Sequence, residues 1–338
     1  MDAVTKKPTI KDIARMADVS IATVSMVLNN KDASISPATK ERVLQIIKEQ
    51  NYISNKVARS MVTRRTKTIG LIIPDIANPF FPELARGAED MASEAGYNII
   101  FCNTDDDLDK EEKYIDMLTS KMVDGIVLTQ SAKRTGYIAG IDRTSIPIIL
   151  IDRNAENHNI KGKVLVNNEV GAYQAVRHLI EKGYRKIVLI TGESTTRTSL
   201  DRMLGYKKAL KESGIAFNEE YIWAGHFKSE WGEEAIRMIL ERRLPFDAVF
   251  CGNDLIAISV IKTLKNANFI IPDDVGVVGF DDIYMARMID PELTTVRQPN
   301  YEMGYKAVEL LVGVLEESKQ TGENDIILNT ELIVRKST

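Results

Sequence analysis

Seven apolar runs in this 338-residue chain are each followed by side chains that can hydrogen bond or stack. IGLII leads into Asp75-Ile76-Ala77-Asn78-Pro79-Phe80-Phe81, PIILI into Asp152-Arg153, and KIVLI into a polar stretch from Gly192 to Asp201 and then Arg202. Phe227 comes after YIWAG, Asn253-Asp254 after DAVFC, Asp281 after VGVVGF and Gln298 after LTTV. Carboxylates accept hydrogen bonds, guanidinium groups donate them and amides do both. Aromatic rings supply flat apolar walls. The combination suits a ligand with hydroxyls on its rim and C–H groups on its faces, as a sugar ring has, because charge-assisted hydrogen bonds are roughly twice as strong as neutral ones. The candidate ligand-binding residues are therefore Asn78, Phe80, Phe81, Asp152, Arg153, Arg202, Phe227, Asn253, Asp281 and Gln298.

The same inventory argues against catalysis. The sequence holds no GxxxxGK[ST], HExxH, CxxC or GxSxG, the spacings that cradle phosphate, bind zinc or present a nucleophile. His158, His178 and His226 are scattered, and none stands near a Ser or Cys nucleophile in sequence. Asp105-Asp106-Asp107 precedes a helical pattern and reads as a helix cap rather than a metal site. Cys102 and Cys251 lie inside NIIFC and DAVFC and read as buried free thiols of a reducing compartment. No enzyme activity, cofactor or metal is expected.

The elements that would carry these side chains alternate. Strand candidates are 69–73, 98–102, 124–128, 147–151, 186–190, 247–251 and 275–280, and helical patterns fill 81–95, 109–121, 169–182, 201–213, 230–242 and 254–267. Continuously apolar strands between helices mean parallel sheets covered on both faces. There are too many units for one domain of about 150 residues, so two α/β lobes are expected. In open α/β sheets the ligand sits beyond the carboxyl ends of the strands, which is where the candidate residues fall. No apolar run approaches the roughly 18 residues of a membrane helix, and the N-terminus lacks the apolar core of a secretory signal, so a cytoplasmic location away from membranes is expected.

The first 67 residues differ in charge from the rest. They hold 13 Lys+Arg and 6 Asp+Glu, a net +7, while the remainder holds 31 and 42, a net −11. A basic head on an acidic body points to a polyanionic partner. Within the head, Thr9 with Asp12 has capping-box spacing, and Ile10, Ile13, Ala14 and Ala17 form one helical face. Asp18-Val19 makes a tight turn, and Ser20 caps a second helix with Val24, Val27 and Leu28 inward. Ser36-Pro37 opens a third, with Val43, Leu44, Ile46 and Ile47 as its core face. This spacing describes a helix-turn-helix unit, whose second helix enters the major groove of double-stranded DNA. The exposed residues at its N-terminal end are Ser20, Ile21, Ala22, Thr23, Ser25 and Met26.

TIKDIARMADVSIATVSMVLNN, NYISNKVARSM and TIGLIIPDIANPFF, with LTTVRQP and ELIVRKS near the C-terminus, resemble the lactose/galactose-repressor (LacI/GalR) family of bacterial transcription regulators along the whole chain. The resemblance implies a homodimer or larger assembly that binds pseudo-palindromic operator DNA and responds to a small sugar effector. It implies a helix-turn-helix domain at 1–53, a hinge helix and linker at 54–68, and a body at 69–338 like a type I periplasmic binding protein. The body's N-lobe is placed at about 69–167 and 298–326, and its C-lobe at about 168–297 and 327–338. To the groove-facing residues the resemblance adds Thr9, Asn29, Asn55, Ala58, Arg59 and the minor-groove wedge Met61, where the family usually has Leu. In the family the position of Met26 is often a polar or basic base-reading residue, whereas here Ile21, Ala22 and Met26 are all apolar. They can touch thymine methyls but cannot make a bidentate contact to guanine.

The cleft string is similar to the pocket of ribose-binding proteins of the same fold and implies a pentose effector. The stretch GESTTRTSLD departs from that pattern, and Arg197 within it leaves a sugar phosphate or a hexose as the alternative. A global regulator with a phosphocarrier protein as co-effector is the other reading the family allows.

Overall fold

The structure is a computed structural model describing residues 8–29, 32–52, 65–132, 144–154, 160–316 and 324–338. It divides into two compact units, Met1–Thr66 and Lys67–Thr338.

The first unit contains α1 (Ile10–Met16), α2 (Ile21–Leu28) and α3 (Pro37–Glu49). Each begins at a side-chain cap. Thr9 and Asp12 form a reciprocal capping box, Ser20 accepts from Thr23 N, and Ser36 accepts from Thr39 N with Pro37 in the first turn. These caps satisfy amides that the first helical turn leaves without partners. Asp18 at φ 49° makes the turn between α1 and α2. Ile13, Ala14, Ala17, Val24, Val27 and Val43 form the core, with Ile10, Leu28, Ile46 and Ile47 packed around it. Leu44 is a correction: it is 45% exposed, because the stripe buried on α3 runs through Val43, Ile46 and Ile47.

The second unit holds two six-stranded sheets. The first has the order β11-β5-β4-β3-β1-β2 and is parallel throughout. Its strands are β1 (Thr68–Ile73), β2 (Asn98–Asn103), β3 (Gly125–Leu128), β4 (Ile148–Ile151), β5 (Ile160–Val166) and β11 (Asp325–Leu328). The second has the order β12-β10-β9-β8-β6-β7, with only β12 antiparallel. Its strands are β6 (Ile187–Thr191), β7 (Ile222–Ala224), β8 (Ala248–Cys251), β9 (Gly276–Asp281), β10 (Thr294–Arg297) and β12 (Glu331–Ile333). The helices are α4 (Phe80–Glu94), α5 (Leu108–Ser120), α6 (Asn168–Glu181), α7 (Arg197–Glu212), α8 (Ser229–Glu241), α9 (Asp254–Asn266) and α10 (Asn300–Leu315).

Both faces of each sheet are apolar and covered. Ile69, Leu71 and Ile73 of β1 pack on one side with Leu84 and Met303, while Ile72 packs on the other with Ile115 and Leu118. The second sheet is sandwiched in the same way, with Val188 and Ile190 on one face and Ile187 and Leu189 on the other. This is why the strands read as unbroken apolar runs rather than alternating ones.

The chain passes between sheets after β5, after β10 and after β11. Two boundaries shift from the sequence expectation. Thr68 belongs to β1 and pairs with Asn98, so it is not linker. Leu328 still pairs with Val166 in the first sheet, so the third passage lies at 329–330 rather than near 327. The helix expected at 201–213 begins earlier, at Arg197, because Thr196 caps it by accepting from Ser199 N.

Candidate functional site

A cavity opens at the carboxyl ends of the strands of both sheets. All ten candidate ligand-binding residues line it. From the first sheet come Asn78, Phe80 and Phe81 after β1, and Asp152 and Arg153 after β4. From the second come Arg202 on α7, Phe227 after β7, Asn253 after β8, Asp281 at the end of β9 and Gln298 after β10. At the site the backbone adopts conformations that side chains disfavour, with φ of 67° at Asp152 and 120° at Asp281. Such departures persist only where the surroundings enforce them.

The charged side chains are hydrogen bonded inside the cavity. Arg153 Nη1 donates to Asp106 Oδ1 at 2.9 Å and to the Gln130 carbonyl at 2.9 Å, with its Nε 3.8 Å from Asp152 Oδ2. Burial opposes its charge, but Asp106 and Asp152 outweigh that and raise its pKa. Arg202 Nε donates to Asn168 Oδ1 at 2.9 Å, Nη1 donates to the Gly252 carbonyl, and the guanidinium lies 3.7 Å from the Phe280 ring centroid. Burial lowers the Arg202 pKa against the pull of Asp281 and Asp152. Burial pushes the Asp281 carboxyl up to about 7, although Arg202 and the Gln298 donor hold it down. Burial also raises Asp152, countered by Arg153 and Arg202. Desolvation of this size is a common mark of a functional site.

The walls are aromatic. Phe80 and Phe81 meet edge to face, with ring centroids 4.9 Å apart, and are at once core and lining. Phe227 rests against Gly192, where a Cβ would lie 2.2 Å from its ring, so a side chain at 192 would displace it. Asn253 is committed within the protein. Its Oδ1 caps α9 by accepting from Ile256 N at 2.9 Å, and its Nδ2 donates to the Phe227 carbonyl at 3.0 Å. Asp254 does not line the cavity; it is fully buried, accepting from Ile283 N and Thr295 Oγ1.

Some lining residues escaped the sequence reading. Asp106 is one: Asp107 is the true cap of α5, and Asp106 turns to Arg153 instead. The signal that exposed the others, a polar residue just beyond a strand, was present after β2. Thr198, Lys228 and His226 also line the cavity. Arg197, the alternative phosphate contact, does not; it forms an ion pair with Asp201 at 2.8 Å. His178 lies in the last turn of α6, and His158 falls outside the described residues. Cys102 and Cys251 are free and buried. Among the described residues no cluster suited to a metal ion occurs, and no helix is long and apolar enough to cross a membrane.

At the start of α2, Ile21 is 44% exposed, Ala22 is exposed, and Thr23, Ser25 and Met26 are half-buried. Ser20 and Thr23 hydroxyls hydrogen bond to each other at 2.9 Å, and Asn29 ends the helix by donating to the Ser25 carbonyl at 2.6 Å. Thr9 is held in its capping box. Asn55, Ala58, Arg59 and Met61 lie outside the described residues.

Residues 9–55 match the model for bacterial regulatory proteins of the lacI family, and residues 176–338 match the model for a periplasmic binding protein-like domain. The HTH-type transcriptional regulator RegA of Clostridium saccharobutylicum is 41% identical over 331 residues, covering 98% of this chain and 99% of RegA. The chain belongs to the lacI family. Two further lacI-family comparisons bear on the cavity. The ribose operon repressor of Halalkalibacterium halodurans is 39% identical over 98% of this chain and 97% of that protein. A solved lacI-family regulator from Enterococcus faecium with bound ribose has a TM-score of 0.72 at 29% identity, over 80% of this chain and 98% of that one. The fold class read from the sequence, a helix-turn-helix domain ahead of a two-lobed parallel α/β body, is that of the lacI family. As a lacI-family member the chain is a ligand-responsive, DNA-binding transcriptional repressor and not an enzyme.

Proposed function

We propose that this repressor acts in the cytoplasm as a homodimer on a pseudo-palindromic operator and senses a neutral sugar, a pentose of the ribose type, in the cavity between its two sheets. The carrying observation is the charge balance of the lining. Asp75, Asp106, Asp152 and Asp281 face Arg153, Arg202 and Lys228, and both arginines are already bonded within the protein. Arg153 is already ion-paired with Asp106, and the four lining carboxylates outnumber the three cations, so an added phosphate would meet repulsion, whereas hydroxyls can use the carboxylates as acceptors. Phe80, Phe81 and Phe227 supply the walls for the ring faces. The similarity to a ribose operon repressor and to a ribose-bound regulator supports the same reading.

On the DNA side, Ser20, Ile21, Ala22, Thr23, Ser25 and Met26 meet base edges, with Thr9 and Asn29 at the rim. Asn55, Ala58, Arg59 and Met61 serve the hinge, which wedges the minor groove. The basic head makes affinity fall steeply with salt.

Calorimetric titration with D-ribose, other pentoses, hexoses, ribose 5-phosphate and a nucleobase, paired with operator gel shifts, tests the reading. Binding of a free pentose with a matching change in operator affinity is expected. Binding of the phosphate or the nucleobase alone overturns it. A pull-down with a phosphorylated carrier protein, positive without sugar, would favour the co-effector reading instead.

A further inference from the structure

We infer that Asn168 is a positioning residue, one that holds Arg202 in the effector cavity and ties that guanidinium to the crossovers between the lobes. The inference rests on the cavity being the effector site. Asn168 is the first residue of α6, immediately beyond the first crossover, and is 4% exposed. Its Oδ1 accepts from Arg202 Nε at 2.9 Å, and its Nδ2 reaches back to the Val166 carbonyl at 3.5 Å. The amide thus joins the end of the last strand before the crossover to a buried charge of the cavity.

The packing of α6 explains why this contact forms. At Gly205 of α7 a Cβ would stand 2.2 Å from the Glu169 carbonyl oxygen, so the two helices approach backbone to backbone one turn beyond Arg202. The close approach sets Asn168 against Arg202. The same first turn of α6 packs against the third crossover and the strand that leads into the second. A Cβ on Gly171 would meet Thr330 Oγ1 at 2.8 Å, Val296 Cγ1 at 3.0 Å and Phe280 Cε2 at 3.1 Å. Thr330 lies in the third crossover, Val296 sits on the strand that leads into the second, and Phe280 is the ring under Arg202. The first and third interlobe passages, the strand that feeds the second, and the ring beneath the cavity arginine therefore meet at one helical turn. A shift of Arg202 on effector binding would be felt there, and coupling between sites needs such a shared element.

Two measurements on the full chain test this. In protein labelled with 15N-arginine, the Arg202 Nε–H signal is identified by its loss in Arg202→Lys. Slow solvent exchange is expected in the wild type and in Asn168→Asp, which keeps an acceptor, and fast exchange in Asn168→Ala and Asn168→Leu. An unchanged signal in both apolar variants overturns the inference, and this arm needs no effector. In the second arm, D-ribose is titrated into the same variants. Loss of a hydrogen bond to a charged group predicts about 10-fold or more weaker binding for Asn168→Ala, with recovery in Asn168→Asp. Unchanged D-ribose affinity in Asn168→Ala also overturns it. If the wild type does not bind D-ribose, the pentose reading fails and the exchange arm still decides the role of Asn168.

Discussion

Gln298 Nε2 donates to Asp281 Oδ1 at 2.7 Å, so the residue at the second crossover holds the carboxylate that closes the cavity from the second sheet. The Gln298 amide oxygen is buried and makes no hydrogen bond with the described residues. The donor bond and the Arg202 guanidinium favour ionised Asp281, while burial opposes it, and the carboxyl stands at about 7.

The position of Asp281 gives a pH dependence with a definite sign. A carboxyl at about 7 in the fold and near 3.8 otherwise keeps its proton in the native state where the unfolded chain has lost it. Its contribution to stability is therefore present at low pH and is lost as pH rises through about 7. The effector-free melting temperature of the wild type, relative to Asp281→Asn, is expected to fall between about pH 5 and about pH 8. Asp254 is pushed well up by burial and by the neighbouring Asp281, so its titration shifts in the variant as well and the difference reports the two carboxyls together. Differential scanning calorimetry of both proteins checks this; parallel pH profiles would contradict it. D-ribose affinity is expected to rise over the same range, because the ionised carboxylate is the better acceptor for hydroxyls.

Arg202→Met removes a buried cation bonded to Asn168 and Gly252 and leaves Asp281 and Asp152 facing each other without it. Leaving those buried acceptors unsatisfied costs about 1–3 kcal/mol. The expected result is a repressor that retains operator binding and no longer responds to the sugar. Gel shifts with and without 10 mM D-ribose read it directly, and a normal response would remove Arg202 from the site.

Gly192→Ala places a methyl group where the Phe227 ring now lies. The ring must move, and the wall it forms is lost. D-ribose affinity is expected to fall about 10-fold, the equivalent of one aromatic wall at about 1.5 kcal/mol. In a Phe227→Ala background the same substitution should have little effect, since neighbouring residues couple in a double-mutant cycle. Additive losses would show that Gly192 acts by another route.

Met26→Arg introduces a group able to make the bidentate guanine contact that the exposed apolar surface of α2 cannot make. Selection from a pool of randomised half-sites should then recover guanine at one position where the wild type has none, with discrimination of about 1–3 kcal/mol. An identical consensus from both proteins would place Met26 away from the bases.

Local chemistry was enough to fix much of this molecule. Thr9, Ser20 and Ser36 cap their helices through their own side chains, and the apolar strands announce covered parallel sheets, because both effects act over a few residues. The ten cavity residues were legible for a related reason: in a parallel sheet every carboxyl strand end faces the same rim, so a residue just past a strand is placed by topology alone. What tertiary structure decided was which groups pair. Whether Asp106 or Asp107 would cap α5, and that Asp106 would reach Arg153, depended on a fold that brings residues far apart in sequence together. Asn253 lines the cavity as expected, but its bonds to the Phe227 carbonyl and to its own helix were set by the fold. Asn168 gave no sign of its contact with Arg202, since that bond exists only because two helices meet at Gly205. Spacing along the chain specifies the capped ends and the faces of elements, whereas hydrogen bonds between elements require the packed distances that only the folded chain sets.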